Sequence, residues 1–288
     1  WSRWRYSNDN FTGVCIMGIF QNNLMGAAAA AASAGGAGFY THQIANSCRF
    51  GDTGYLHRTP GSAGNRATWT FSTWLKLSDI SADSMLYTAG ASGGFADFLR
   101  LFYASNKLIV GDASANHLTP ANVYRDTSAW YHVVWKQGSN ASTVYVNGVQ
   151  TATASMSGDT AVNDDVLQCI GTSSYGGSPT NGEHIHAYLA ETIMIDGTAL
   201  GPDSFGETKN GVWIPVDASG LTFGTNGFHL KYEASGDLGN DSSGNNNDWT
   251  AVNLATHDQM LDSPTFNSDS NGGNFATLNP VYKGVNLT

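Results

Sequence analysis

Three stretches of the sequence carry side chains whose types and spacing could do chemistry. The first is "GDLGNDSSGNNND", Gly236 to Asp248, which sets Asp237, Asp241, Asn245, Asn247 and Asp248 in a glycine-containing loop. Hard oxygen donors of this kind suit calcium, which takes about six to eight oxygens from carboxylates, amides and backbone carbonyls. The spacing departs from the EF-hand. Asp241, Ser243 and Asn245 fall at its first, third and fifth positions, but Asn246 stands where the sharp-turn glycine belongs and Val252 where the bidentate glutamate belongs. Asx turns account for the same residues without a metal, because Asp and Asn side chains readily bond their own backbone amides.

The second stretch surrounds Glu191. Retaining sugar hydrolysis needs two carboxylates about 5 Å apart across the glycosidic bond. Glutamate occurs only at 183, 191, 207 and 233, and the nearest pairing, Glu191 with Asp196, spans five residues. An odd spacing puts the two on opposite faces of a strand. The third stretch is "EHIH", Glu183 to His186, where His184 and His186 share one side of an extended segment. They could begin a metal site, yet no third ligand is near in sequence, and two exposed histidines are the plainer expectation. Ser72 and Ser173 are hydroxyls with no base placed beside them, and no nucleophile-elbow, phosphate-loop or dinucleotide motif is present. The chain therefore reads as non-enzymatic. What the loops holding Tyr175, His184 and His186 do offer is an aromatic face with hydrogen-bonding groups around it, the pair of features that binds a sugar ring. A plain wet loop would contain the same residues.

Composition narrows the setting. The chain has 288 residues, 34 of them glycine, with 12% charged and 11% aromatic. Such a chain relies on turns, aromatic packing and Asn/Ser/Thr hydrogen bonds, as all-β sandwiches do. Its net charge is −10, and the 13 Lys and Arg form no long run. Nucleic acid is not an expected partner, because phosphate binding rests on clustered cations. Cys15, Cys48 and Cys169 have no metal-ligand spacing. They read as small core residues, with a Cys48 to Cys169 disulfide left open.

The elements that would position these groups are short strands. "AWYHVVWKQGSNASTVYVNGVQ", Ala129 to Gln150, alternates Tyr131, Val133 and Trp135 with His132, Val134 and Lys136, then turns at Asn147-Gly148. Period-two alternation marks strands, and Asn-Gly supplies the positive φ of a tight hairpin. "ATWTFSTWLKL" puts Trp69, Phe71 and Thr73 on one face and Thr70, Ser72 and Trp74 on the other. Further short segments follow to about residue 205, then a glycine-rich connection from about 206 to 225 in which Trp213-Ile214-Pro215 reads as an extended crossing. Phe71, Tyr131, Val133, Trp135, Val144, Val146, Ile193 and Ile195 are expected largely in the interlayer core or pinned against it. Residues 1–39 read as an arm whose alanine run favours a short helix or arm. Met17 is an alternative start, Ala30-Ala31-Ala32 resembles a small-residue cleavage site, and the run is too short to span a bilayer. Residues 40–254 read as one β-sandwich and 255–288 as a turn-rich tail.

The order of "CRFGDTGYLHRT", "WTFSTWLKL", "WYHVVWKQGSNASTVYVNG", "QCIGTSS" and "AYLAETIMIDGTALGPDSFG" resembles the laminin G-like branch of the concanavalin A-like lectin/glucanase sandwiches, from about Cys48 to Gly206. One departure is Phe50-Gly51-Asp52, which inverts the usual Asp-Gly. The resemblance implies an all-β, antiparallel two-sheet jelly roll, and calcium on a loop is a common property of such domains. "FHLKYE" and "DSSGNNND", within 227–254, resemble the opening strand and loop of these domains but follow the closing strand here. Either a second domain starts there, or the strand folds back as a permutation, which is the preferred reading.

The arm, the lectin-like core and "NFATLNP" together resemble surface and fibre-like virion proteins of tailed bacteriophages. That implies a virion structural protein, a tail fibre or capsid-surface component, whose partners are other virion proteins, further copies of itself and a host-surface glycan. The alternative is a secreted bacterial carbohydrate-binding module.

Overall fold

The computed structural model describes residues 38–266 apart from 52, 92, 95, 139 and 180–182, together with 273. The alanine-rich arm, Met17, Cys15 and most of the expected tail lie outside the described residues. Among those described, strands run in the order β1 Ser47–Phe50, β2 Tyr55–Arg58, β3 Trp69–Leu77, β4 Ser84–Gly90, β5 Phe98–Ala104 and β6 Lys107–Gly111. They continue as β7 Asn116–Leu118, β8 Tyr131–Gly138, β9 Ala141–Val146, β10 Val149–Ser155, β11 Gln168–Ile170 and β12 Ala187–Asp196. The last are β13 Gly206–Lys209, β14 Val212–Pro215, β15 Phe228–Leu230, β16 Thr250–Val252 and β17 Gln259–Met260. The helical elements described are three-residue 3₁₀ turns.

These strands make two antiparallel sheets. One, here sheet A, runs β10-β9-β8-β3-β12-β1-β17, with β15 also on β12; the other, sheet B, runs β16-β2-β11-β4-β5-β6-β7. The fold is the expected all-β sandwich. The β9-β10 hairpin turns at Asn147 (φ 49°) and Gly148 (φ 78°), as the Asn-Gly pair requires.

The interlayer core takes one side chain from every second strand position. Phe71, Val133, Trp135, Val144 and Val146 enter it from sheet A, and Leu56, Tyr87, Leu99, Leu101 and Val110 from sheet B. Trp69 and Trp135 meet edge to face at 4.6 Å, and Phe71 lies 4.8 Å from Tyr87. Tyr131 packs at the edge of this core. Ile193 and Ile195 do not enter it: they pack with Val134, Phe205, Ala218 and Phe223 in a separate cluster, while Met194 between them joins the main core. The expectation for these two isoleucines is corrected by a β-bulge. The register of β12 against β3 shifts between Ala190 and Ile193, and Glu191 sits at φ 48°, so the inward parity reverses along the strand.

That second cluster exists because sheet A is covered on its outer side as well. Residues expected to be a glycine-rich connection form the β13-β14 hairpin, and Trp213 on it lies against His132. A Cβ on Gly148 would come within 2.4 Å of the Trp213 ring, so the turn glycine is fixed by packing as well as by φ. Every residue of β3 is consequently buried. Lys76 on it is paired with Asp262 at 2.8 Å, and Asp262 also accepts from Trp130 Nε1 at 3.1 Å. With β17 paired to β1 and Thr265 Oγ1 accepting from Ile44 N, residues 259–265 are part of the sandwich edge, where the sequence suggested a tail. The "FHLKYE" strand, β15, pairs with β12 beyond the bulge, in line with β1. Cys48 and Cys169 are free and buried, one in each sheet, which removes the disulfide alternative. Among the described residues no helix is long and apolar enough to cross a membrane.

Candidate functional site

Two faces present polar side chains in number, and they differ in how those side chains are satisfied. On the outer side of sheet A, Ser72 of β3 faces His132 of β8, with Oγ 2.9 Å from Nε2. No base stands near Ser72 along the sequence; cross-strand register supplies one. The pair is nevertheless not an activated nucleophile. Trp213 Nε1 donates to His132 Nδ1 at 3.0 Å, so Nδ1 is the acceptor and Nε2 carries the proton that Ser72 Oγ accepts. A general base at Ser72 needs the opposite tautomer. Burial also holds His132 down to about 3, between the Trp74 and Trp213 rings.

Glu191 lies on the same face, turned outward by the bulge. His42 Nε2 is 3.2 Å from its Oε1, and His229 contacts its Oε2. Burial alone would raise this carboxyl, but the hydrogen bonds and charge from His229 and His42 outweigh it and bring Glu191 to about 2. His42 is raised in turn by its bond to Glu191. Asp196 is engaged elsewhere: its carboxylate accepts from Asn65 N, Asn163 Nδ2 and Asn226 N at 2.8 to 3.0 Å. Glu191 and Asp196 thus serve separate networks on opposite faces of β12.

The Gly236 to Asp248 loop is closed by its own backbone. Asp241 accepts from His229 N, Ser243 N, Ser243 Oγ and Asn247 N at 2.7 to 2.9 Å, and Asp248 Oδ1 accepts from Asp241 N at 2.8 Å. Asn245 and Asn247 donate their amides to the carbonyls of Gly224, Thr225 and Gly227. The Arg58 guanidinium donates to Asn247 Oδ1 and feels the charges of Asp241 and Asp248, while Asp237 is exposed. Both carboxylate oxygens of Asp241 and Oδ1 of Asp248 thus already answer amide or hydroxyl donors, and the Arg58 guanidinium is a cation beside them. Among the described residues no group of three or more His, Cys, Asp or Glu side chains is placed to hold a metal.

The outer side of sheet B is different. The loop after β11 crosses it and is pinned there by Thr88, whose Oγ1 donates to Thr172 O and accepts from Ser174 N, both at 3.0 Å. This places Tyr175 beside Phe98, edge to face at 5.5 Å, with the tyrosine ring 49% exposed. Phe98, Arg100, Ala113, Ser173, Tyr175 and Glu183 line a cleft of about 250 Å³. Cross-strand from Arg100 stand Thr88 and Gly111, and the space a Cβ on the glycine would take is filled by Ala115 O and Asn116 Oδ1.

Of the three residues expected to bind sugar, Tyr175 lines the cleft and the histidines do not. His184 is buried and stacks on Tyr55 at 6.0 Å, which corrects the expectation that both histidines are exposed. His186 is half-buried, and its carbonyl accepts from Ser78 and Asp79. Residues 183–186 are an extended link between the sheets, since Glu183 O accepts from Met85 N and Ile185 N donates to Gly171 O. Arg100 and Phe98 went unnoticed in sequence. The only available signal was an arginine at the outward parity of an apolar strand, "FLRLFYA".

Several solved structures resemble the chain. A candidate carbohydrate binding protein of Bacteroides ovatus aligns at 16% identity over 74% of this chain and 61% of its own, with a TM-score of 0.48. The chain thus spans about three fifths of that protein's length. A pentraxin of Limulus polyphemus aligns at 16% identity over 55% of this chain and 79% of its own, TM-score 0.40. Mouse laminin alpha1 chain domains LG4-5 align at 14% identity over 66% and 48%, TM-score 0.41. Among curated proteins none matches the sequence. Residues 50–188, just under half of the chain, match the model of the family Laminin_G_3, described as concanavalin A-like lectin/glucanases superfamily, and the chain itself folds as two antiparallel sheets around one core.

Proposed function

We propose that this chain is a non-catalytic carbohydrate-binding sandwich that serves as a surface or tail-fibre component of a bacteriophage virion. The observation that carries the carbohydrate reading is the half-exposed Tyr175 ring beside a cleft lined by Ser173, Arg100 and Glu183. Sugars bind by laying a C–H face on an aromatic ring while hydroxyls meet polar groups around it, and a concave site with few placed polar groups is the usual form of such a pocket. The family matched over residues 50–188 includes lectins by name. The non-catalytic reading is supported by the tautomer of His132 and by the separation of Glu191 from Asp196.

The virion part rests on the sequence resemblance of the arm, "DSSGNNND" and "NFATLNP" to tailed-phage surface proteins, with other virion proteins and further copies of the chain as partners. The secreted module is the second reading, favoured by Ala30-Ala31-Ala32. A glycan array probed with the full chain tests the carbohydrate reading. Binding that Tyr175→Ala abolishes supports it, and silence of the native assembly leaves a purely structural role. Mass spectrometry of purified particles separates virion from secreted origin.

A further inference from the structure

Of the five arginines in the described sandwich Arg125 is exposed, and the other four make a useful contrast. Arg49 pairs with Asp258 at 3.0 Å, Arg66 pairs with Asp164 at 3.0 Å, and Arg58 donates to Asn247 and to Asn226 O. Among the described residues Arg100 has no such acceptor. Its guanidinium carbon lies 4.4 Å over the Phe102 ring, and its Nε is buried with no hydrogen-bond partner among the described residues. A buried donor left unanswered costs about 1–3 kcal/mol, and the rest of this guanidinium lines the Tyr175 cleft, where a ligand can meet it.

We infer that Arg100 is the specificity-determining residue of the Tyr175 cleft and that the ligand class is an acidic sugar, one bearing a carboxylate or sulfate. This rests on the carbohydrate reading and goes further by naming the substituent. Phe102 lies against the guanidinium while Arg100 lines the cleft, so the two terminal amino groups at the end of the side chain are the donors for two-point bonding to an oxyanion. A neutral hydroxyl can accept only one of those bonds. Tyr175 supplies the wall on which the ring stacks. Glu183, half-buried on the cleft lining and not ion-paired to Arg100, accepts from ring hydroxyls and disfavours a second anion at its end of the cleft. A singly charged sugar residue fits this arrangement better than a densely sulfated chain. Carboxylate and sulfate share the recognition chemistry, and separate probes distinguish them.

The test is calorimetric titration of the full chain with oligogalacturonate, a monosulfated galactose oligomer, and neutral galactose and cellulose oligomers, alongside Arg100→Gln, Arg100→Lys and Tyr175→Ala. An acidic oligomer is expected to bind, with Arg100→Gln weakening it about tenfold to a hundredfold at unchanged melting temperature. Arg100→Lys restores only part of the loss, because a point charge cannot make the two-point bond. Tyr175→Ala weakens binding as well. Neutral oligomers that bind equally well, lose affinity in Tyr175→Ala and ignore Arg100→Gln would overturn the Arg100 assignment while leaving the carbohydrate reading intact. No heat with any oligomer overturns both.

Discussion

The outer faces of the two sheets both carry polar groups, and they use them in opposite ways. On sheet A, Ser72, His132, Glu191, His42 and Lys76 are the residue types from which catalytic sites are made, yet a hairpin, a loop and the 259–265 segment cover them and their hydrogen bonds run to one another. On sheet B, Arg100, Tyr175 and Glu183 look unremarkable by type, but the loop that crosses them leaves a cleft and, among the described residues, a buried donor without an acceptor. A polar cluster answered from within the fold stabilises it. A polar group left open is where a ligand can contribute, because its desolvation has already been incurred.

If this contrast holds, damage to the sheet A side reads out as stability and damage to the sheet B side as binding. The largest effect expected is from Asp262→Ala, which takes the carboxylate from a fully buried Lys76 ammonium and one acceptor from Trp130. A loss of about 3–5 kcal/mol in urea unfolding is expected, with glycan binding retained where the protein is still folded.

Acidification should act through the same side. His132 is neutral when folded, with its ordinary value of 6.5 brought down to about 3 by burial, so below pH 6.5 the unfolded chain takes up a proton that the folded chain refuses. Stability then falls with pH through the window from 6.5 towards 3, by about 1.4 kcal/mol per unit at full effect. Glu191, whose depressed value makes its contribution present above 4.5 and lost below it, adds nothing to the slope between 6.5 and 4.5. His42 works the other way: its raised value gives stability that is present below 6.5 and lost as pH rises. Urea midpoints at pH 6.5 and 4.5 measure the balance, and His132→Gln should flatten the slope between them.

A smaller loss, about 1–3 kcal/mol, is expected from Trp213→Phe, which leaves His132 Nδ1 buried without its donor. Thermal melts of this variant and of His132→Gln should show that the two do not add, since they share one hydrogen bond. By contrast Tyr175→Ala should change stability by no more than about 0.5 kcal/mol while removing sugar binding, because its ring is half in solvent. If Tyr175→Ala proved as destabilising as Trp213→Phe, the cleft would be part of the core and the contrast would fail. The smallest effect concerns calcium. With Arg58 and backbone amides on the Asp241 loop, a chelator should leave the melting temperature where it was.

Much of the fold was legible in the sequence, because the sandwich is written in side-chain parity. Alternation in "WTFSTWLKL" and "YHVVWKQ" separates Phe71, Val133 and Trp135 from Ser72 and His132, and Asn147-Gly148 allows one kind of turn. Parity is local, since it depends only on the period of an extended chain. Tertiary structure decided what that period cannot carry. The bulge at Glu191 reverses the faces of Ile193 and Ile195, an irregularity that arises where β12 passes from pairing with β1 to pairing with β15. The covering of sheet A by Trp213 and Asp262, residues 81 and 186 positions away from the His132 and Lys76 they meet, turned a candidate serine–histidine pair into a structural one by fixing the tautomer. The cleft at Arg100 likewise depends on a loop that begins 72 positions away and is anchored by Thr88. Which donors a fold satisfies is a property of contacts between distant segments, and the spacing of residues along one segment does not contain it.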